Sequence, residues 1–103
     1  MSLDYPDQVQ NVGSATVANP AVAITVTLGW QPRYVRAINV NNLKFYEYFE
    51  GMSDGTSLDT GNHADTQIAV NAADGITVSS TGFTLGTDIC DTAADVVRWL
   101  ALR

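Results

Sequence analysis

The sequence predicts an all-β protein: a compact sandwich or barrel of about seven or eight short antiparallel strands, with an N-terminal arm. Three observations carry this reading. Apolar and polar residues alternate with period two in several short runs. Clusters of Gly, Asn, Asp, Ser and Thr separate those runs. No helical period longer than two turns appears, except in one C-terminal stretch that has two readings.

Residues 1–20 form the expected arm. The segment is polar, without a sustained period, and Pro6 and Pro20 break it. Such an arm is either disordered or ordered against a neighbouring subunit, in which case Leu3, Tyr5, Val9 and Val12 are its anchors. Residues 21–103 make the single β domain, since 103 residues allow one modest core and not two.

Ala21–Leu28 alternates Val22, Ile24, Val26 and Leu28 with Ala23, Thr25 and Thr27, which is a strand. Gly29-Trp30-Gln31-Pro32 is a turn, and Arg33–Val40 is β-rich again. Asn41-Asn42 marks a hairpin, because Asn tolerates positive φ. In Leu43–Phe49 both alternating faces are aromatic, so neither is expected to meet open water entirely. Residues 50–65 are rich in Gly and small polar residues, a loop long enough to be functional or mobile. Gln67–Val70 is a short strand and 71–75 a turn. Ile76–Ser80 and Phe83–Leu85 pair around Thr81-Gly82. Residues 86–95 are a second acidic loop. Val96–Leu102 reads as a buried terminal strand, or as a short helix capped by Asp91 or Thr92. With one lysine in the whole chain and little Pro within strands, exposed edges are poorly guarded. They are expected to be closed, covered by the arm or paired with another subunit.

The net charge of −6 disfavours nucleic acid, which demands a basic footprint, and an anionic membrane surface. The longest mainly apolar stretch, Ala21–Leu28, is far short of the roughly 20 residues of a membrane helix. The N-terminal sequence has two aspartates and no basic flank, unlike a secretory signal. The single cysteine, Cys90, forms no intrachain disulfide and suits a reducing cytoplasm. Acids and bases cancel in residues 1–48, so the whole net charge lies in 49–103, largely in loops. A nearly neutral strand body with an acidic loop face is expected.

Catalytic chemistry is poorly represented, and the expectation is a non-enzyme. Ser57, His63 and Asp65 can be written as a triad, but no nucleophile-elbow motif accompanies them. Cys90 with His63 matches no protease signature. One Cys and one His make zinc improbable. The acidic loops holding Asp54 and Asp59, and Asp88, Asp91 and Asp95, have oxygen ligands for Ca²⁺ but not EF-hand spacing; solvated turn aspartates are the default. No cofactor motif occurs.

The informative feature is aromatic. Trp30, Tyr34, Phe45, Tyr46, Tyr48, Phe49 and Met52 lie close in sequence, and a small domain cannot easily bury them all. Tyr, Trp, Met and Arg are enriched in protein interfaces. Tyr46 and Tyr48, with Arg33 or Arg36, are the expected contact surface; sugar stacking on the rings is the lesser alternative.

The run Trp30-Gln31-Pro32-Arg33-Tyr34-Val35-Arg36-Ala37-Ile38-Asn39-Val40 resembles the "P-x-Y-V-R-x-x-N" strand of small virion proteins of tailed bacteriophages. Tyr46-Glu47-Tyr48-Phe49-Glu50-Gly51-Met52 resembles their "x-E-W-F-E-G-M" segment, with Tyr48 in place of Trp. Gly75-Ile76-Thr77-Val78 and Gly82-Phe83-Thr84-Leu85-Gly86 resemble their "G-I-T-V…G-F-T-I-G" hairpin, and Trp99 fits the closing strand. The resemblance spans residues 28–102 and implies a capsid decoration, or cement, protein. It implies a homotrimer on the outside of the virion, made in the host cytoplasm, with the major capsid protein as partner. A fibre base or receptor- or glycan-binding virion module is the alternative.

Overall fold

The alternation in the sequence becomes strand pairing. The computed structural model describes residues 10–41, 43–53, 57–59, 69–71 and 74–103. Among them are β1 (Gln10–Thr16), β2 (Ile24–Thr27), β3 (Tyr34–Asn39), β4 (Lys44–Phe49), β5 (Ser57–Asp59), β6 (Ala69–Asn71), β7 (Ile76–Ser79), β8 (Gly82–Leu85) and β9 (Val96–Leu102). All pairs are antiparallel. A six-stranded sheet runs β1-β9-β3-β4-β5-β6, and a three-stranded sheet runs β2-β8-β7. The fold is all-β, as the sequence predicts.

The inner faces of the two sheets share one core. Val35, Ala37, Tyr46, Tyr48, Val97 and Ala101 come from the large sheet, and Ile76, Val78, Phe83 and Leu85 from the small one. Phe83 meets Trp99 edge to face across the layers, with ring centroids 6.0 Å apart. The β7–β8 hairpin turns at Ser80-Thr81, one residue earlier than the sequence placed it. Gly82 then lies against β2, where an added Cβ would sit 2.0 Å from the Val26 carbonyl oxygen. Only a glycine allows that approach.

The C-terminal stretch is a strand and not a helix. β9 lies between β1 and β3, so its backbone is paired on both sides. The β3–β4 turn differs in detail from expectation: Leu43 carries a positive φ of 61°. Asn41 is used through its side chain, whose Oδ1 accepts the Val96 N–H at 2.8 Å.

Residues 10–16, assigned by the sequence to the arm, pair with β9 of the same chain along all seven residues of β1. Their inward positions are Asn11, Gly13 and Ala15, facing Ala101, Trp99 and Val97 in register. The Trp99 indole occupies the space a side chain would need: a Cβ on Gly13 would meet it at 2.5 Å. Its Nε1–H donates to Asn11 Oδ1 at 2.8 Å. The apolar mass of this strand pair is thus carried by β9, and β1 shows no alternation of its own. Val17 follows, buried in the core.

A polar network ties the 86–95 loop beneath β3. Asn39 is fully buried and donates through Nδ2 to the Ile89 carbonyl and to Asp95 Oδ2, both at 3.0 Å. Its Oδ1 accepts the Asn41 N–H at 3.0 Å, which leaves a buried amide well satisfied. Tyr46 Oη donates to the Asp88 carbonyl at 2.9 Å. Asp74, Asp88 and Asp91 are exposed at this end of the strands. Cys90 is buried in the same loop, and burial pushes its thiol up to about 11.

A candidate protein interaction face

Period-two geometry sends alternate side chains of the large sheet away from the core. Three rows of that outer face follow from the register. The first is Gln10, Leu102, Tyr34 and Phe49; the second is Val12, Leu100, Arg36, Glu47 and Leu58; the third is Ser14, Arg98, Ile38 and Phe45. Most of these are apolar or aromatic. Val12 is 71% exposed, Phe49 47% and Leu102 36%; Leu43, in the β3–β4 turn, is 74% exposed.

Side chains on this face are ordered by local contacts. Tyr34 and Phe49 pack with centroids 5.2 Å apart. Tyr34 Oη donates to Glu47 Oε2 at 2.6 Å. Burial first, then the bond to Glu47 and its charge, push the Tyr34 phenol up to about 12 against a smaller opposing effect of Arg36. The Arg36 guanidinium lies 4.5 Å from the Phe45 ring centroid. Arg36, Ile38, Phe45, Arg98, Trp99 and Leu100 line a shallow groove of about 310 Å³.

The sequence-predicted contact residues divide into five groups. Val12, Tyr34 and Arg36 lie on the outer face. Trp30 and Arg33 line a cleft of about 450 Å³ at the end of the strands away from the 86–95 loop. There Arg33 meets Glu50 at 3.7 Å, an exposed pair of small energetic weight. Met52 is half-buried against the core, and its Sδ accepts the Phe49 N–H at 3.3 Å. Leu3, Tyr5 and Val9 lie outside the described residues, as do Asp54, His63 and Asp65.

Tyr46 and Tyr48 correct the expectation. They are 1% and 6% exposed and belong to the core, so neither ring is available to a partner or a sugar. The outward face of β4 is the other one, Phe45, Glu47 and Phe49. One signal in the sequence marks it. Glu47 shares a phase with Phe45 and Phe49, as Arg36 shares one with Tyr34 and Ile38, and an ionised group fixes the outward phase. Phe45, Phe49, Ile38, Arg98, Leu100 and Leu102 were the residues missed.

Among the described residues, no group of three or more His, Cys, Asp or Glu is placed to hold a metal ion. Among them, too, no helix is long and apolar enough to cross a membrane. No family model, curated protein or solved structure matches the chain.

Proposed function

We propose that this protein is a capsid decoration, or cement, subunit of a tailed-bacteriophage virion, acting by protein–protein contact. The observation that supports this best is the apolar outer face of the six-stranded sheet, which no other described strand covers. The resemblance of β3, β4 and the β7–β8 hairpin to segments of small virion proteins points to the major capsid protein as the partner. In this reading the row Leu102–Tyr34–Phe49, with Val12 beside it, seats on the shell. Tyr34 and Phe49 are the anchors, being large rings held by each other and by Glu47. The acidic end, with Asp74, Asp88 and Asp91, points away from the contact.

The mechanism is linkage. A subunit that binds the assembled lattice but not free capsomers stabilises the lattice in proportion to its occupancy. At a hundred times the Kd that is about 2.7 kcal/mol per site. Three copies at a threefold position multiply the contacts across each seam.

The test is co-sedimentation of the purified chain with capsids of the phage that encodes it, wild type against Phe49→Ser/Leu102→Ser. Saturable binding by the wild type and loss in the variant are expected. A wild-type chain that stays in the supernatant at every concentration overturns the reading.

A further inference from the structure

Arg36 and Arg98 make no ion pair among the described residues, although the chain holds eleven acidic side chains against five basic. Both project from the outer face of the large sheet. In register Arg36 lies between Leu100 on β9 and Glu47 on β4, and Arg98 faces Ile38, so the two arginines are diagonal neighbours, roughly 7–8 Å apart at the backbone. Between and beside them lie Ile38, Phe45 and Leu100, lining the 310 Å³ groove. Two cations over an apolar floor select a segment that carries carboxylates and apolar side chains together.

Residues 3–9, Leu-Asp-Tyr-Pro-Asp-Gln-Val, have that composition, with Asp4 and Asp7 and no basic side chain. Asp4 and Asp7 flank Pro6 three residues apart, and a polyproline II segment, with three residues per turn, presents such a pair on one side roughly 9 Å apart, within side-chain reach of the arginine spacing. The position of β1 decides whose groove is met. Gln10 faces Leu102, at the end of β9 remote from Arg98. A chain continuing beyond Gln10 in the direction of β1 therefore leaves its own groove behind. Nine extended residues reach roughly 30 Å, enough to arrive at a neighbour.

We propose that residues 3–9 of one copy dock in the Arg36–Arg98 groove of a second copy. Asp4 and Asp7 pair with the two arginines, and Leu3 and Tyr5 lie on Ile38, Phe45 and Leu100. The contact is heterologous, arm to groove, so successive copies form a ring where the rotation closes and an open chain where it does not. It needs no shell, and it leaves the Leu102–Tyr34–Phe49 row free for one.

Sedimentation equilibrium of the full chain at low salt, without capsids, tests this. Four proteins are compared: wild type, Arg36→Glu/Arg98→Glu, Asp4→Arg/Asp7→Arg, and all four changes together. Circular dichroism checks the fold of each. The wild type is expected as a multiple of 11.0 kDa. Each double reversal weakens association about tenfold or more, and the combination restores it. The Asp pair lies outside every described strand, so it keeps the test valid if the Arg pair disturbs folding. Equal masses for all four proteins overturn the proposal. So does a wild type of 11.0 kDa at every concentration, whether the arm then lies on its own groove or the arginines serve a capsid. Because no shell is present, failure here leaves the decoration reading standing, and failure of shell binding leaves this one.

Discussion

The two sheets turn very different faces outward. On the small sheet Thr25, Thr84 and Thr77 form a row in register, and the Thr25 and Thr84 hydroxyls lie 3.1 Å apart. That is the ordinary polar cover of a half-buried sheet. On the large sheet the corresponding positions hold Val12, Leu100, Leu102, Tyr34, Ile38, Phe45 and Phe49 beside Gln10, Ser14, Arg36, Glu47 and Arg98. The same chain makes both, so the apolar face is not a by-product of general hydrophobicity. One side of the sandwich carries a polar cover and the other a largely apolar one.

Substitutions break this comparison in a definite order. The largest losses are expected in the core between the faces. Tyr46→Ala empties a buried site and removes the tether to the Asp88 carbonyl, at a cost of about 3–5 kcal/mol in urea unfolding. Gly13→Val, which drives a side chain into the Trp99 indole, is expected to cost about 1–3 kcal/mol and to loosen β1 from β9. Hydrogen exchange on residues 10–16 reads that loosening directly.

Outer-face changes separate stability from binding. Phe49→Ser is expected to change unfolding free energy by less than about 1 kcal/mol while abolishing shell binding. Thr84→Ser on the opposite face should change neither. If Thr84→Ser matched Phe49→Ser in the binding assay, the two faces would not differ in role.

The smallest effects are titrations. Cys90 is fully buried with its thiol raised from 9.0 to about 11, so at pH 8 its thiolate is scarce. Alkylation in the native state should run about a hundredfold or more slower than in urea. Tyr34 is raised from 10.0 to about 12. Below pH 10 both folded and unfolded chains keep the phenol neutral, and its contribution to stability is complete. Between pH 10 and 12 the unfolded chain ionises first, so stability falls as pH rises. Tyr34→Phe should flatten that part of the profile.

Much of the fold was legible because strands announce themselves by alternation. Ile24–Thr27 and Ile76–Ser79 show it, whereas Val96–Leu102 is apolar nearly throughout and only its pairing with β1 and β3 settles it as a strand. β1 was illegible for a physical reason: Trp99 fills the layer above Asn11 and Gly13, and a strand beneath a large ring from its neighbour must present small residues. The outward face was misread on β4 because aromatic rings occupy both phases. Glu47 and Arg36 held the answer, since a charge decides a phase that apolar residues leave open. The groove was out of reach of sequence alone, because Arg36 and Arg98 become neighbours only through the β3–β9 register.

The central claim is that the outer face of the large sheet is a protein contact surface. Hydrogen exchange of the chain free and bound to its capsid tests it most directly. The account predicts protection on binding in β1, β3, β4 and β9, with β2, β7 and β8 unchanged. Protection confined to β2, β7 and β8, or none in either sheet, would contradict it.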